Sequence, residues 1–259
     1  MPKSTSFPHL IPALVCFMAA LAAQAEAPLR VVTEEFPPFQ YIENGHLTGV
    51  CVEVVEAVLA EAGIQAEITM MPWARAQKTA KEEENVLIFS LARTEAREKE
   101  YKWVGQIDEA HNRVFAAAGS AIQISRFEDL KDHVVGVVIG DLREDYFVEH
   151  GFVVGKNLQP VRSHASLYAM LAAKRLDLWP ENDLAMAYIV RQSGRDPATA
   201  VKPVWNLPDI TPYSGDFMAV GLSTSDSVVA RLREALDRIK SDGRFAGIMR
   251  KWGVGTVNW

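Results

Sequence analysis

Residues 85–97, NVLIFSLARTEAR, constrain the fold of this chain more than any other stretch. Val86 to Phe89 form an apolar run too short for a typical helix and long enough for a buried strand. From Ser90 onward the chain turns polar, through Arg93 and Thr94 to Arg97. A buried parallel strand that opens into a polar loop and a helix start is where α/β sheets place ligands. The Arg97 guanidinium offers two parallel donors to a carboxylate, and the Ser90 hydroxyl can complete the grip. The competing reading makes Arg97 a solvated helix residue that balances Glu95, Glu98 and Glu100.

Similar signals lie on either side. Residues 29–33 are a β-branched run and read as a first strand, and Pro37 and Pro38 then force an extended loop. Asn44-Gly45 marks a hairpin turn. Val50, Val54, Val55, Val58 and Leu59 recur at helical spacing, with Gly63 as the stop, and residues 64–70 read as the second strand. Pro72 is placed to start a helix running to about Glu84. With 85–97 as third strand and next helix start, the pattern is β-α-β-α-β-α, which implies a mostly parallel sheet with helices on both faces. Residues 102–107 and 112–118 read as strands, the second leading out of this unit. A second α/β unit follows, with strands at 134–139, 158–161, 176–179 (closed by Pro180) and 201–205. Its helices are expected at 142–150, 166–174 (capped by Ser166) and 184–191. Residues 215–222 carry the chain back, and Val229, Leu232, Leu236 and Ile239 share one face of a long helix.

Ahead of the fold, Lys3 gives a positive start, residues 10–21 are an apolar run of signal-peptide length, and Ala23-Gln24-Ala25 is a small-x-small cleavage site. Residues 1–25 are therefore expected to leave on export, with cleavage after Ala25. The 259 residues suit one large domain or two lobes, and 49% apolar with 23% charged residues fits a folded chain. The net charge of −6, more negative still once Lys3 is removed, supplies no basic face for nucleic acid. Cys16 leaves with the signal, so Cys51 has no disulfide partner and reads as a small buried side chain. The six histidines show no ligand spacing, and no G-x-S-x-G, P-loop or G-x-G-x-x-G occurs in context. Neither a metal nor another cofactor is expected.

Four features carry a family resemblance. They are the first strand followed by Pro37-Pro38-Phe39 with Gly49 leading a helix; Ser90 to Arg97 with its T-x-x-R; Leu130-Lys131 through Val135-Gly136-Val137 to Gly140; and the tail SDGRFAGIMRKWG at 241–253. Over roughly residues 29–253 the chain resembles the periplasmic solute-binding proteins of the polar amino-acid family, family 3, the extracytoplasmic components of ABC uptake systems. Pro72-Trp73-x-Arg75 and Lys102-Trp103-Val104-Gly105 further resemble a divergent branch. The resemblance implies an α/β chain in the two-lobed periplasmic binding protein type 2 fold, with parallel-type sheets, helices on both faces and two crossing hinge strands. Lobe one would be 28–111 plus 215–259 and lobe two 112–214, closing on a ligand between them. It further implies a periplasmic monomer that hands a small carboxylate-bearing solute to an ABC permease.

Position by position, the resemblance implies that Arg97 holds the carboxylate with help from Ser90. Ala92 stands where a second serine is usual, Leu142 where a threonine is common, and Asn182 where an aspartate binds the α-ammonium in typical members. An amide cannot supply the charge a buried ammonium needs, which leaves Glu181, Asp183, Glu34 or Asp141 for that role. Trp73 and Phe36 are candidates for an aromatic wall. Arg75 is a second acid contact or else a surface partner of Glu82 or Glu83, and Arg93 is a third candidate. Arg75 and Arg97 together in the cleft would imply a ligand with more than one acidic group. Trp179 belongs either to the cleft or to the core. Two other functions suit the same scaffold: a periplasmic dehydratase of prephenate-like acids, with Glu181 or Asp183 as general acid, and a sensor whose closed form docks on a membrane receptor.

Overall fold

The computed structural model describes residues 28–108, 111–207, 210, 213 and 215–254; the expected export signal and its cleavage site lie outside them. The described chain begins with β1 (Arg30–Thr33), the hairpin β2 (Tyr41–Glu43) and β3 (His46–Thr48), and α1 (Val50–Glu61). β4 (Ile68–Met70), α2 (Trp73–Glu82), β5 (Val86–Ala92) and β6 (Tyr101–Gln106) follow. The chain then crosses to β7 (Asn112–Ala117), β8 (Val135–Val138), α3 (Leu142–Glu149), β9 (Leu158–Val161) and α4 (His164–Ala172). β10 (Trp179–Asn182), α5 (Asp183–Gln192), α6 (Pro197–Ala200) and β11 (Val201–Asn206) complete that part. β12 (Asp216–Gly221) returns to the first sheet, and α7 (Asp226–Ser241) and α8 (Arg244–Trp252) end the described chain.

Among the described residues each lobe has one main sheet, and β2-β3 and β8-β9 form two-stranded pairs beside them. The first has the order β4-β1-β5-β12-β6, and the second pairs β10-β7-β11, with β8 and β9 joined to it where Val135 bridges Leu178. β1 runs parallel to β4 and β5, as a β-α-β chain requires. β12 runs antiparallel to both β5 and β6, and β7 antiparallel to both β10 and β11. The sheets are thus less parallel than the β-α-β pattern alone implies, because each crossing strand arrives from the other lobe. The two crossings pack closely: Gly215 has φ +76, and a Cβ there would run into the Asp108 backbone carbonyl.

β5 is buried at every residue, since β1 and β12 flank it and helices cover both faces. On one face lie Val54, Val55 and Val58 of α1 with Leu232, Leu236 and Ile239 of α7. On the other lie Trp73, Ala76 and Ala80 of α2. Each of these valines, leucines and isoleucines contributes roughly 1.5–3 kcal/mol relative to exposure. Cys51 is buried and unpaired, and Trp179 is core at 0% exposure.

Local expectations fail at three places. No helix follows β5: residues 95–100 are turns, tied by Arg97 N–H to the Thr94 carbonyl (3.1 Å) and Glu100 N–H to the Arg97 carbonyl (3.0 Å). Only eight residues, Arg93 to Glu100, separate β5 from β6, too short a span for a helix and its two exits.

 The connection, residues 93–100, is instead a run of turns that sets Arg97 against the cleft. Helix α4 starts two residues early, with Ser163 rather than Ser166 at its N-cap; the two hydroxyls bond each other at 2.8 Å. Pro180 lies inside β10 rather than closing a strand before it. Beyond Leu178 that strand pairs on one side only, with β7, which is where a proline is tolerated.

Candidate ligand-binding cleft

A cavity of about 670 Å³ opens between the two lobes. Its first-lobe wall is built at the C-terminal ends of β1 and β5, which deliver Glu34, Phe36, Ser90 and Ala92, with Trp73 from the start of α2. Its second-lobe wall comes from the turn into α3, with Asp141 and Arg143, and from Asn182 at the start of α5. Arg113, and Asp216 on the return crossing, complete the charged lining.

Arg97 reaches this cavity at 6% exposure. Its Nη1 donates to the Ala92 carbonyl (3.3 Å) and its Nη2 to the Gly140 carbonyl across the cleft (3.3 Å). Its carboxylate contact, Asp145, is 3.5 Å away on a side chain 64% exposed. A buried guanidinium with such long contacts retains capacity for an anion, because a buried charge is stable only when closely paired. Ser90 sits beside it in left-handed backbone (φ +56), yet its hydroxyl donates to Gln40 Oε1 at 2.7 Å. As placed, that O–H is committed within the protein and does not point its proton at a carboxylate.

The opposite wall is a buried ionic cluster. Arg143 Nη1 donates to both Asp141 oxygens at 2.9 Å, and its Nη2 lies 3.1 Å from Glu181 and donates to Asn112 Oδ1 at 2.7 Å. His164 Nδ1 meets Glu181 Oε2 at 2.7 Å, and its ring stacks on Phe36 from the other lobe at 4.2 Å. Burial opposes the charge on His164, but Glu181 and then Glu34 push its pKa up to about 10. Burial also opposes ionisation of Asp141 and Glu181; Arg143 and His164 overcome it and hold both carboxyls below their usual range. Glu34 goes the other way, raised by burial. Asp216 is raised well above the carboxylate range by burial and by neighbouring Asp108.

A model of the bacterial extracellular solute-binding proteins, family 3, matches residues 29–255. The chain belongs to that family. It is a solute-binding protein, not an enzyme. It is similar to the lysine/arginine/ornithine-binding periplasmic protein of Escherichia coli (strain K12), 29% identical over 65% of this chain and 64% of that one. It is 24% identical to the histidine-binding periplasmic protein of the same strain, over 92% of this chain and 93% of that one. Among solved structures it matches a histidine kinase sensor domain similar to periplasmic binding proteins, with TM-score 0.77 and 22% identity over 88% of this chain and 97% of the other. That likeness shows the fold. No helix among the described residues is long and apolar enough to cross a membrane.

In this family-3 protein the expected site residues divide into three groups. Arg97, Ser90, Trp73, Phe36, Glu34, Asp141 and Asn182 line the cavity, although Asp141 is engaged by Arg143 and Asn182 caps α5, its Oδ1 accepting from Leu184 N–H at 2.8 Å. Glu181 is fully buried behind the wall, because alternate residues of β10 face opposite ways and Asn182 takes the cavity side. Arg75 is exposed and outside the lining: two residues along a helix from Trp73, it points nearly opposite. The inference of a second ligand acid from Arg75 therefore lapses. Asp183 pairs with Arg113 at 3.2 Å, and Arg93 with Glu98 at 2.6 Å. The sequence reading missed Arg143 and His164. Asp141-x-Arg143 after a glycine turn was a signal for the first, an acid and a base opening a helix; the second carries none.

Proposed function

We propose that this protein captures an amino-acid-like solute by its carboxylate in the cleft and delivers it to an ABC permease from the periplasm. The carrying observation is Arg97: buried, cavity-facing, and held only by contacts of 3.3 and 3.5 Å among the described residues. A carboxylate placed there would gain two charge-assisted hydrogen bonds in a site from which closure excludes water. Trp73 and Phe36 would pack the apolar body of the solute. Its relatives, binders of lysine, arginine, ornithine and histidine, support the same class of ligand. On this reading the lobes are 28–111 with 215–259 and 112–214, and they close as a monomer over the solute. Export follows cleavage after Ala25.

The test is a thermal-shift screen of the mature protein against amino acids, dicarboxylates, opines and small peptides. A ligand of the folded state raises Tm. At least one carboxylate-bearing solute is expected to do so, and Arg97→Ala to abolish the shift. A full shift retained in that variant would place the site elsewhere.

A further inference from the structure

The buried cluster holds more acids than bases: Glu34, Asp141 and Glu181 are set against Arg143 and His164. Burial first, and then the neighbouring acids Asp108, Asp141 and Glu34, raise the pKa of Asp216 beside it.

Within the cluster one set of atoms is arranged to receive a cation. One donor atom each from Glu34, Asp141 and His164 lie within 4.8 Å of one another, and all three residues are more than nine-tenths buried. His164 Nδ1 is taken by Glu181 at 2.7 Å. Its Nε2 is buried, has no hydrogen-bond partner among the described residues, and faces Glu34 Oε1 at 3.8 Å, beyond hydrogen-bond reach. A carboxylate behind one ring nitrogen is the arrangement that fixes the tautomer and orientation of metal-bound histidines. Asp141 Oδ2 accepts from Arg143 Nη1, which leaves that oxygen a second lone pair.

We propose that Glu34, Asp141 and His164 Nε2 hold a divalent transition-metal cation across the cleft. A mixed nitrogen and carboxylate set selects zinc or manganese over magnesium and calcium. A cation centred among atoms so spaced lies within about 2.8 Å of each, so a contraction of under an ångström reaches the roughly 2.0–2.2 Å of zinc bonds to nitrogen and carboxylate oxygen. The ion takes the place of the imidazolium proton, which leaves to solvent. A 2+ charge with neutral His164 then balances the three carboxylates and one guanidinium. Glu34 belongs to the first sheet's lobe and Asp141 and His164 to the second, so the ion binds the closed form and favours it. This inference does not depend on the identity of the organic solute.

The experiment uses the mature protein, stripped with a chelator and dialysed, then titrated with zinc chloride in parallel with manganese chloride, without any organic solute. Calorimetry is expected to give one ion per chain, and Tm to rise with ion concentration. Cobalt, substituted for zinc, is expected to give a visible ligand-field spectrum that His164→Gln removes. Glu34→Gln keeps the side-chain shape and leaves the Arg143 contacts untouched, and is expected to weaken zinc binding at least tenfold. No response to either metal, or a full response retained in Glu34→Gln, overturns the proposal. Arg97→Ala is expected to keep the zinc response while losing the solute response, so failure of one reading is distinguishable from failure of the other.

Discussion

Arg97 and Arg143 line the same cavity and are buried alike, at 6% and 5% exposure. Their surroundings differ. Arg143 is gripped by Asp141 at 2.9 Å, Glu181 at 3.1 Å and Asn112 at 2.7 Å, whereas Arg97 has two carbonyl contacts at 3.3 Å and one distant acid at 3.5 Å. Burial of a charge therefore does not by itself mark a ligand contact. The closely paired arginine holds the second wall of the cleft together, although its buried Nε has no hydrogen-bond partner among the described residues, and the loosely paired one keeps capacity for an anion.

The largest expected effect breaks the closely paired member. Arg143→Met leaves Asp141 and Glu181 buried without their guanidinium, a loss of about 3–5 kcal/mol in folding stability. Urea denaturation measures it. Arg97→Ala is expected to change stability by less than about 1 kcal/mol, because little in the protein depends on it, while weakening solute binding by about 2–5 kcal/mol. Equal destabilisation by the two substitutions would erase the distinction drawn between them.

A smaller effect extends the comparison to acids. Asp141 and Asp216 both line the cavity, but Asp141 has a guanidinium on it and is held low, whereas burial and Asp108 push Asp216 up. A carboxyl whose pKa rises on folding stabilises the protein below its unfolded pKa, and that contribution is lost as pH climbs through the folded value. Asp216→Asn is neutral at every pH. Its stability relative to the parent is therefore expected to improve from pH about 4 to pH about 8, by about 1 kcal/mol or more. A difference that stays flat with pH would mean that folding does not raise the Asp216 pKa and that burial does not oppose its charge as inferred.

Residue spacing made much of the fold legible. Val229, Leu232, Leu236 and Ile239 fall on one helical face and are all buried, and the apolar run from Val86 becomes the central strand of its sheet. Spacing identifies a strand without naming its neighbour, so the antiparallel insertion of β12 beside β5 could not be read from it. Arg97 was legible because its strand, loop and guanidinium are contiguous. The acid–imidazole cluster was legible only in part: Glu34, Asp141 and Glu181 were candidate acids, but His164, far along the chain from each, meets Glu181 only through the second-lobe fold and Glu34 only across the cleft. The same reasoning explains the missing metal-ligand spacing among the histidines, since a site assembled across a cleft needs none. Arg75 falls outside the cavity lining because residues two apart on a helix point to nearly opposite sides.

The smallest expected effect concerns how closure and capture are joined. The Gly140 carbonyl accepts from Gln77 Nε2 at 2.9 Å and from Arg97 Nη2 at 3.3 Å, so one turn of the second lobe is held by two first-lobe side chains. Gln77 lies outside the cavity lining, and its bond can contribute only to closure. A net hydrogen bond is worth roughly 0.5–1.5 kcal/mol, so Gln77→Ala is expected to weaken solute binding by about two- to tenfold. The loss should appear in the dissociation rate, since the open form that meets the solute is unaltered. The sheets do not use this bond, and urea stability is expected to stay within about 0.5 kcal/mol of the parent. Unchanged affinity in Gln77→Ala would mean that the Gln77–Gly140 bond has no share in closure and that capture does not draw on it.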